Sequence, residues 1–177
     1  LEAGCSLAAS ITADDVRALR ARHPGLPVVS YVNTTAAVQA ASDACCTSAN
    51  ASEVVEAAAA EFGVDTVIFL PDRFLGAHVA SQTKIRLVLW DGSCEVHETF
   101  TAQQVRHTRE QFHARVVAHP ECPPDVLAEA DFVGSTTAMG AWLEKEKPER
   151  VALVTECSMA DNLKSRFPDI EFVKPCN

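Results

Sequence analysis

The run Val28-Val29-Ser30-Tyr31-Val32-Asn33 returns 88 positions later as Val116-Val117-Ala118-His119-Pro120-Glu121. The polar turns that follow keep step at the same offset, Ser42-Asp43 with Ala130-Asp131 and Thr47-Ser48-Ala49 with Ser135-Thr136-Thr137. A period this long exceeds that of solenoid repeats and fits duplication of a whole small domain. The copies differ where polar chemistry falls: Tyr31 and Asn33 end one run, His119 and Glu121 the other. Two like modules with unlike polar groups predict one shared cleft.

Within each copy, short apolar runs alternate with helical stretches. Strands are predicted at 28–32, 66–70, 85–89, 115–118, 150–154 and 171–173, each bounded by Pro, Gly or Asp. Helices are predicted at 13–22, 35–41, 51–62, 102–111, 125–130, 138–146 and 159–167. Thr12 with Asp15 and Asn50 with Glu53 have capping-box spacing. Mostly apolar strands alternating with helices predict α/β architecture with parallel sheets and helices on both faces. The module boundary is expected near 97–101.

Composition narrows the function classes. A chain of 177 residues that is 47% apolar can bury a real core. A net charge of -9 without a Lys/Arg run argues against nucleic acid as the main partner. No apolar stretch approaches the roughly 20 residues that cross a bilayer, and no signal peptide opens the chain, so no membrane role and a cytoplasmic location are expected. The start, Leu1-Glu2-Ala3-Gly4-Cys5, lacks an initiator Met, and Lys174-Pro175-Cys176-Asn177 closes without a helix, so the chain reads as an internal fragment. Seven cysteines, an odd number, argue against a disulfide scaffold and for a reducing compartment. No C-x-x-C pair is present, which weakens zinc-ribbon and thioredoxin-type readings.

In parallel α/β modules, ligands gather beyond the carboxyl ends of the strands. Tyr31, Asn33, His119 and Glu121 sit there, and Ser48 and Thr136 precede helices at equivalent places. One reading is a pocket for a small anionic substrate held at helix N-termini, with His119 or Glu121 transferring protons. The plainer reading makes Ser48 and Thr136 ordinary helix caps and Tyr31 a half-buried strand end. Cys5 and Cys94 both follow a Gly-containing turn, 89 residues apart. The last strands align at an offset of 85, Ile85-Arg86-Leu87-Val88 with Ile170-Glu171-Phe172-Val173, which puts a third equivalent of Cys94 two residues past Asn177. Three such thiolates would suit an iron–sulfur cluster with one open iron. The alternative is that the cysteines are small buried residues, and that is the reading for Cys45, Cys46, Cys122 and Cys157.

Eight collinear motifs point further. They are Leu1-Glu2-Ala3-Gly4-Cys5-Ser6-Leu7, Ser30-Tyr31-Val32-Asn33-Thr34-Thr35-Ala36, Cys46-Thr47-Ser48, Phe69-Leu70-Pro71-Asp72, Trp90-Asp91-Gly92-Ser93-Cys94-Glu95-Val96-His97-Glu98, His119-Pro120-Glu121-Cys122-Pro123-Pro124, Gly134-Ser135-Thr136 and Val154-Thr155-Glu156. Over the whole chain this series resembles the quinolinate synthase family. The resemblance implies pseudo-symmetric three-layer α/β/α domains with short parallel sheets, two of an expected three being present. On that reading 1–7 end the first domain, 8–97 form the second, and 98–177 form an incomplete third.

The resemblance also implies a chemistry. Iminoaspartate (iminosuccinate) and dihydroxyacetone phosphate would condense to quinolinate in de novo NAD biosynthesis, with a 4Fe–4S cluster as Lewis acid. Cys5 and Cys94 become cluster ligands; Cys176 is the tempting third, but the ligand is expected just beyond Asn177. Glu121, Tyr31 and His119 become catalytic. Tyr31, Val32, Asn33, Ser48, His119, Pro120, Glu121 and Thr136 become substrate contacts. An L-aspartate oxidase supplying the imino acid is the implied protein partner. Alone, the fragment is expected to be inactive. The rival readings are an iron–sulfur electron-transfer or sensor protein, and a metal-free module binding a phosphorylated metabolite.

Overall fold

The computed structural model describes residues 4–175. The chain divides into two compact units, one ending at Glu95 and the other starting at Val96.

The first unit runs α1 (Ser6–Ala9), α2 (Ala13–Arg22), β1 (Val28–Tyr31), α3 (Ala36–Ala40), β2 (Ala44–Cys46), α4 (Ala51–Phe62), β3 (Thr66–Leu70), α5 (Arg73–Gln82) and β4 (Arg86–Leu89). Its strands form one parallel sheet in the order β2-β1-β3-β4. Side chains alternate across the pleat. Val29, Tyr31, Val67 and Phe69 therefore pack with Val55 and Ala59 of α4 and Leu75 and Val79 of α5. Val28, Ile68 and Leu70 pack on the other face with Val16 and Leu19 of α2 and Val38 of α3. Burying each such Val, Leu or Phe contributes roughly 1.5–3 kcal/mol.

After α6 (Glu95–Glu98), which spans the boundary in sequence, the second unit repeats the plan. It runs α7 (Ala102–Phe112), β5 (Arg115–Ala118), α8 (Pro124–Leu127), β6 (Phe132–Val133), α9 (Thr136–Glu146), β7 (Arg150–Val154), α10 (Ser158–Lys164) and β8 (Glu171–Val173). The sheet order is β6-β5-β7-β8, again parallel. Val116, Ala118, Ala152 and Val154 pack toward α7 and α8, and Val117, Val151 and Leu153 toward α9 and α10. Each unit is thus a three-layer α/β/α sandwich, as the alternating pattern predicts.

The repeat extends to single hydrogen bonds. Asp43 Oδ2 accepts from Val28 N at 2.7 Å, while Asp43 N donates to Val28 O at 2.8 Å. In the second unit Asp131 Oδ2 accepts from Val116 N at 2.7 Å, and Asp131 N donates to Val116 O at 2.8 Å. Arg20 on α2 reaches Asp43 and Ala41 O; Arg109 on α7 reaches Asp131 and Glu129 O.

The structure corrects several local expectations. The two-residue β6 and three-residue β2 are strands that the apolar-run pattern does not reveal, and α1, α5 and α6 are helices it does not reveal. Thr12 and Asp15 form the expected capping box. Asn50 does not cap α4: its Oδ1 turns back to accept from Thr47 N at 2.8 Å and Thr47 Oγ1 at 3.0 Å. Among the described residues, no helix is long and apolar enough to cross a membrane.

Candidate functional site

In the second unit the site is built on the carboxyl ends of β5 and β7. His119 continues β5 by one residue, its N–H donating to Val154 O at 3.1 Å. Cys122 N then donates to His119 O at 3.0 Å and closes a tight turn around Pro120 and Glu121. Cys122 is fully buried and anchors that turn in the core below. These bonds carry the two polar side chains into the interior: His119 and Glu121 are each only 3% exposed.

Two further side chains join them. His97 comes from the one-turn helix α6, and Thr155 directly follows β7; both are buried. His119 Nδ1 lies 3.0 Å from Glu121 Oε2, and His97 Nδ1 lies 3.4 Å from the same oxygen. His97 Nε2 is bonded to Thr155 Oγ1 at 3.0 Å. The two imidazoles stack with centroids 5.0 Å apart.

The electrostatics follow from burial. Loss of water around His97 pushes its pKa down to about 4, against the attraction of Glu121 and with some repulsion from His119. His97 is therefore neutral at pH 7, and its 3.4 Å approach to Glu121 is a polar contact rather than an ion pair. Its Nδ1 makes no hydrogen bond, and neither does Glu121 Oε1. A buried carboxyl oxygen without a partner costs about 1–3 kcal/mol, and a catalytic role is one of the few reasons for a fold to bear that cost.

In the first unit, Tyr31 ends β1 as a buried residue paired in register with Cys46, and Ser48 follows on the turn before α4. Val32 is 41% exposed, and Asn33 is exposed beside it. These residues share the carboxyl edge of the sheet. The same edge carries Cys94: Asp72, just after β3, bridges to Gly92 and accepts from Cys94 N at 3.1 Å. The helix that begins after Cys5 is tied to that turn, for Trp90 Nε1 donates to Ser10 O at 3.2 Å. Leu7 of the same helix is buried in the cluster against which Cys94 packs. Cys5 is exposed and Cys94 half-buried, and neither is in a disulfide.

The predicted residues thus resolve into groups. His119, Pro120 and Glu121 come together in one buried turn, while Tyr31, Ser48 and Cys94 lie along the edge of the other sheet. Thr136 is the exposed first residue of α9, and the hydroxyl that caps this helix belongs to Ser135. Cys176 lies outside the described residues. Sequence reasoning did not pick out His97, Thr155 or Asp72 as site residues. The carboxyl-end rule could have found Thr155 and Asp72, since each directly follows or nearly follows a strand; nothing local marks His97.

Buried acid–base groups beyond the carboxyl ends of parallel strands mark an α/β enzyme. Comparison with known proteins gives the family. The model of the family described as quinolinate synthetase A protein matches residues 1–177, and the chain belongs to that family. It is 56% identical over 178 residues to quinolinate synthase 2 of Mesorhizobium japonicum, covering 100% of this chain and 54% of that protein. It is 54% identical over 178 residues to the quinolinate synthase of Caulobacter vibrioides, covering 100% of this chain and 48% of that protein. The Xylella fastidiosa quinolinate synthase is 54% identical over 177 residues, with 99% of this chain and 51% of that protein covered. The chain spans about half the length of these relatives.

Proposed function

We propose that this chain works as part of a quinolinate synthase, condensing iminoaspartate (iminosuccinate) with dihydroxyacetone phosphate to quinolinate, with loss of water and phosphate. The observation that carries this reading is Glu121 Oε1, buried without a partner beside two imidazoles. The condensation and ring closure need protons moved between carbon and oxygen, and Glu121 is the general acid/base for them. His119 orients its carboxyl through Oε2, which leaves Oε1 for the substrate. Tyr31 orients or protonates the intermediate. Ser48 and Thr136, with the N–H groups opening α4 and α9, bind carboxylate or phosphate, and Val32 and Asn33 complete the contacts.

Cys5 and Cys94 suit a 4Fe–4S cluster, because both carry a thiol outside any disulfide and lie on segments tied together by Trp90. When bound, such a cluster supplies Lewis-acid stabilisation of developing negative charge on oxygen. On this reading 8–97 and 98–177 are the second and third of three like domains, with 1–7 closing the first. The imino acid is supplied by oxidation of L-aspartate.

In the full-length protein, Glu121→Gln should abolish turnover and leave the visible absorbance of the cluster intact. Full turnover in that variant would remove Glu121 from the mechanism. An electron carrier would keep its redox chemistry in the same variant and show no condensation activity at all.

A further inference from the structure

We infer that Asp72 is the positioning residue for Cys94, clasping the turn that presents this thiol. The inference rests on the reading of Cys94 as a cluster ligand. Asp72 is 1% exposed, and its two oxygens take separate tasks. Oδ1 accepts from Leu75 N at 2.7 Å and caps α5; Oδ2 accepts from Cys94 N at 3.1 Å. A cap needs a single oxygen, and serine would serve as well. The second oxygen is what an aspartate adds, and it goes to the cysteine.

The rest of the segment holds the same turn. Arg73 N donates to Gly92 O at 2.8 Å, and Arg73 Nη1 pairs with Asp91 Oδ1 at 2.7 Å. A Cβ on Gly92 would lie 2.5 Å from Pro71 O, so the two strands of chain are in direct backbone contact. Of these contacts, the Asp72 bond reaches the ligand residue itself. Pinning the Cys94 N–H restricts the backbone torsion that aims its Cα–Cβ bond. A charge-assisted bond in a buried setting is roughly twice as strong as a neutral one. Loss of such an outer partner typically costs about 10–100-fold in metal affinity.

The test uses full-length protein loaded anaerobically with iron and sulfide, as Asp72→Ser, Asp72→Asn and Cys94→Ala. Asp72→Ser keeps the α5 cap but cannot reach Cys94; Asp72→Asn keeps the size but sets an amide N–H against the Cys94 N–H. The readouts are the rate of cluster bleaching by EDTA, the EPR spectrum of the reduced cluster, and the thermal midpoint of the cluster-free protein. Both Asp72 variants should lose the cluster about 10-fold faster or more, with an altered EPR line shape. The cluster-free midpoint of Asp72→Ser should hardly move. Bleaching at the unsubstituted rate overturns the inference, as does faster bleaching matched by an equal fall in the midpoint. Should Asp72→Ser fail to fold, Asp72→Asn decides by the same bleaching and EPR measurements. If Cys94→Ala retains its cluster, the reading of Cys94 as a ligand fails and takes the inference with it. If only the Asp72 variants retain it, the inference alone fails.

Discussion

His97 is held neutral by burial: loss of hydration outweighs the nearby Glu121 carboxyl and drives its pKa to about 4. The consequence for stability has a definite sign. In the unfolded chain an exposed histidine titrates at about 6.5, so between roughly pH 6.5 and 4 the unfolded state binds the extra proton. Stability is therefore full above about pH 6.5 and is lost as pH falls toward 4, by about 3 kcal/mol at most. Urea midpoints across this range should fall steeply for the unsubstituted protein and much less for His97→Gln. An equal slope in both would mean that another group drives the acid sensitivity. The same residue marks the limit of sequence reading. His119-Pro120-Glu121 is legible because polar groups at a strand end have no packing value. His97 sits in a four-residue helix, and its hydroxyl partner Thr155 is 58 positions away. Only the fold brings them together.

At the scale of elements, capping chemistry was partly readable. Thr12 accepts from Asp15 N while Asp15 reaches back to Thr12 N at 2.9 Å, so both ends of the box are made. Thr12→Ala should cost about 1 kcal/mol in chemical denaturation. A loss near zero would show that the exposed cap is replaced by water. The pattern at Asn50 and Glu53 looks alike in sequence, yet the Asn50 side chain closes the preceding turn instead, because asparagine has that local alternative. Strands β2 and β6 escaped notice for a different reason. Three residues and two residues are too short to express a period of any kind, and their pairing to β1 and β5 defines them. Gly92 was legible only as a turn residue. Its actual constraint is the carbonyl of Pro71 at 2.5 Å from any added Cβ. Gly92→Ala should therefore destabilise by about 1–3 kcal/mol, since backbone must move rather than a side chain. Thermal denaturation checks this, and an unchanged midpoint would mean the two segments separate freely.

For the molecule as a whole, the duplication seen in the primary structure turns out to be a duplication of interactions. Strand order, register and the aspartate clasp all recur, so the repeated Asp43 and Asp131 are shared parts of one folding plan rather than chance matches at the 88-residue offset. Their environments match closely: side-chain exposure is 24% for Asp43 and 25% for Asp131, and each joins an arginine to an amide at the start of an inner strand, Val28 of β1 and Val116 of β5. Removing either carboxylate leaves a strand N–H without its acceptor and an arginine with only its backbone carbonyl partner. Each of Asp43→Ala and Asp131→Ala should then cost about 2 kcal/mol. The two aspartates share no partner, so the double variant should lose the sum to within about 0.5 kcal/mol. The chain offers one tryptophan in each unit, Trp90 and Trp142, to follow the loss separately. Asp43→Ala should shift the unfolding reported by Trp90 in a Trp142→Phe background, and Asp131→Ala the unfolding reported by Trp142 in a Trp90→Phe background. If one substitution is costly and the other silent, the clasp is a feature of one unit that the other has inherited without using. Comparable losses would mean that the same few residues secure the central strand in both units, each of which then carries different chemistry at its carboxyl edge.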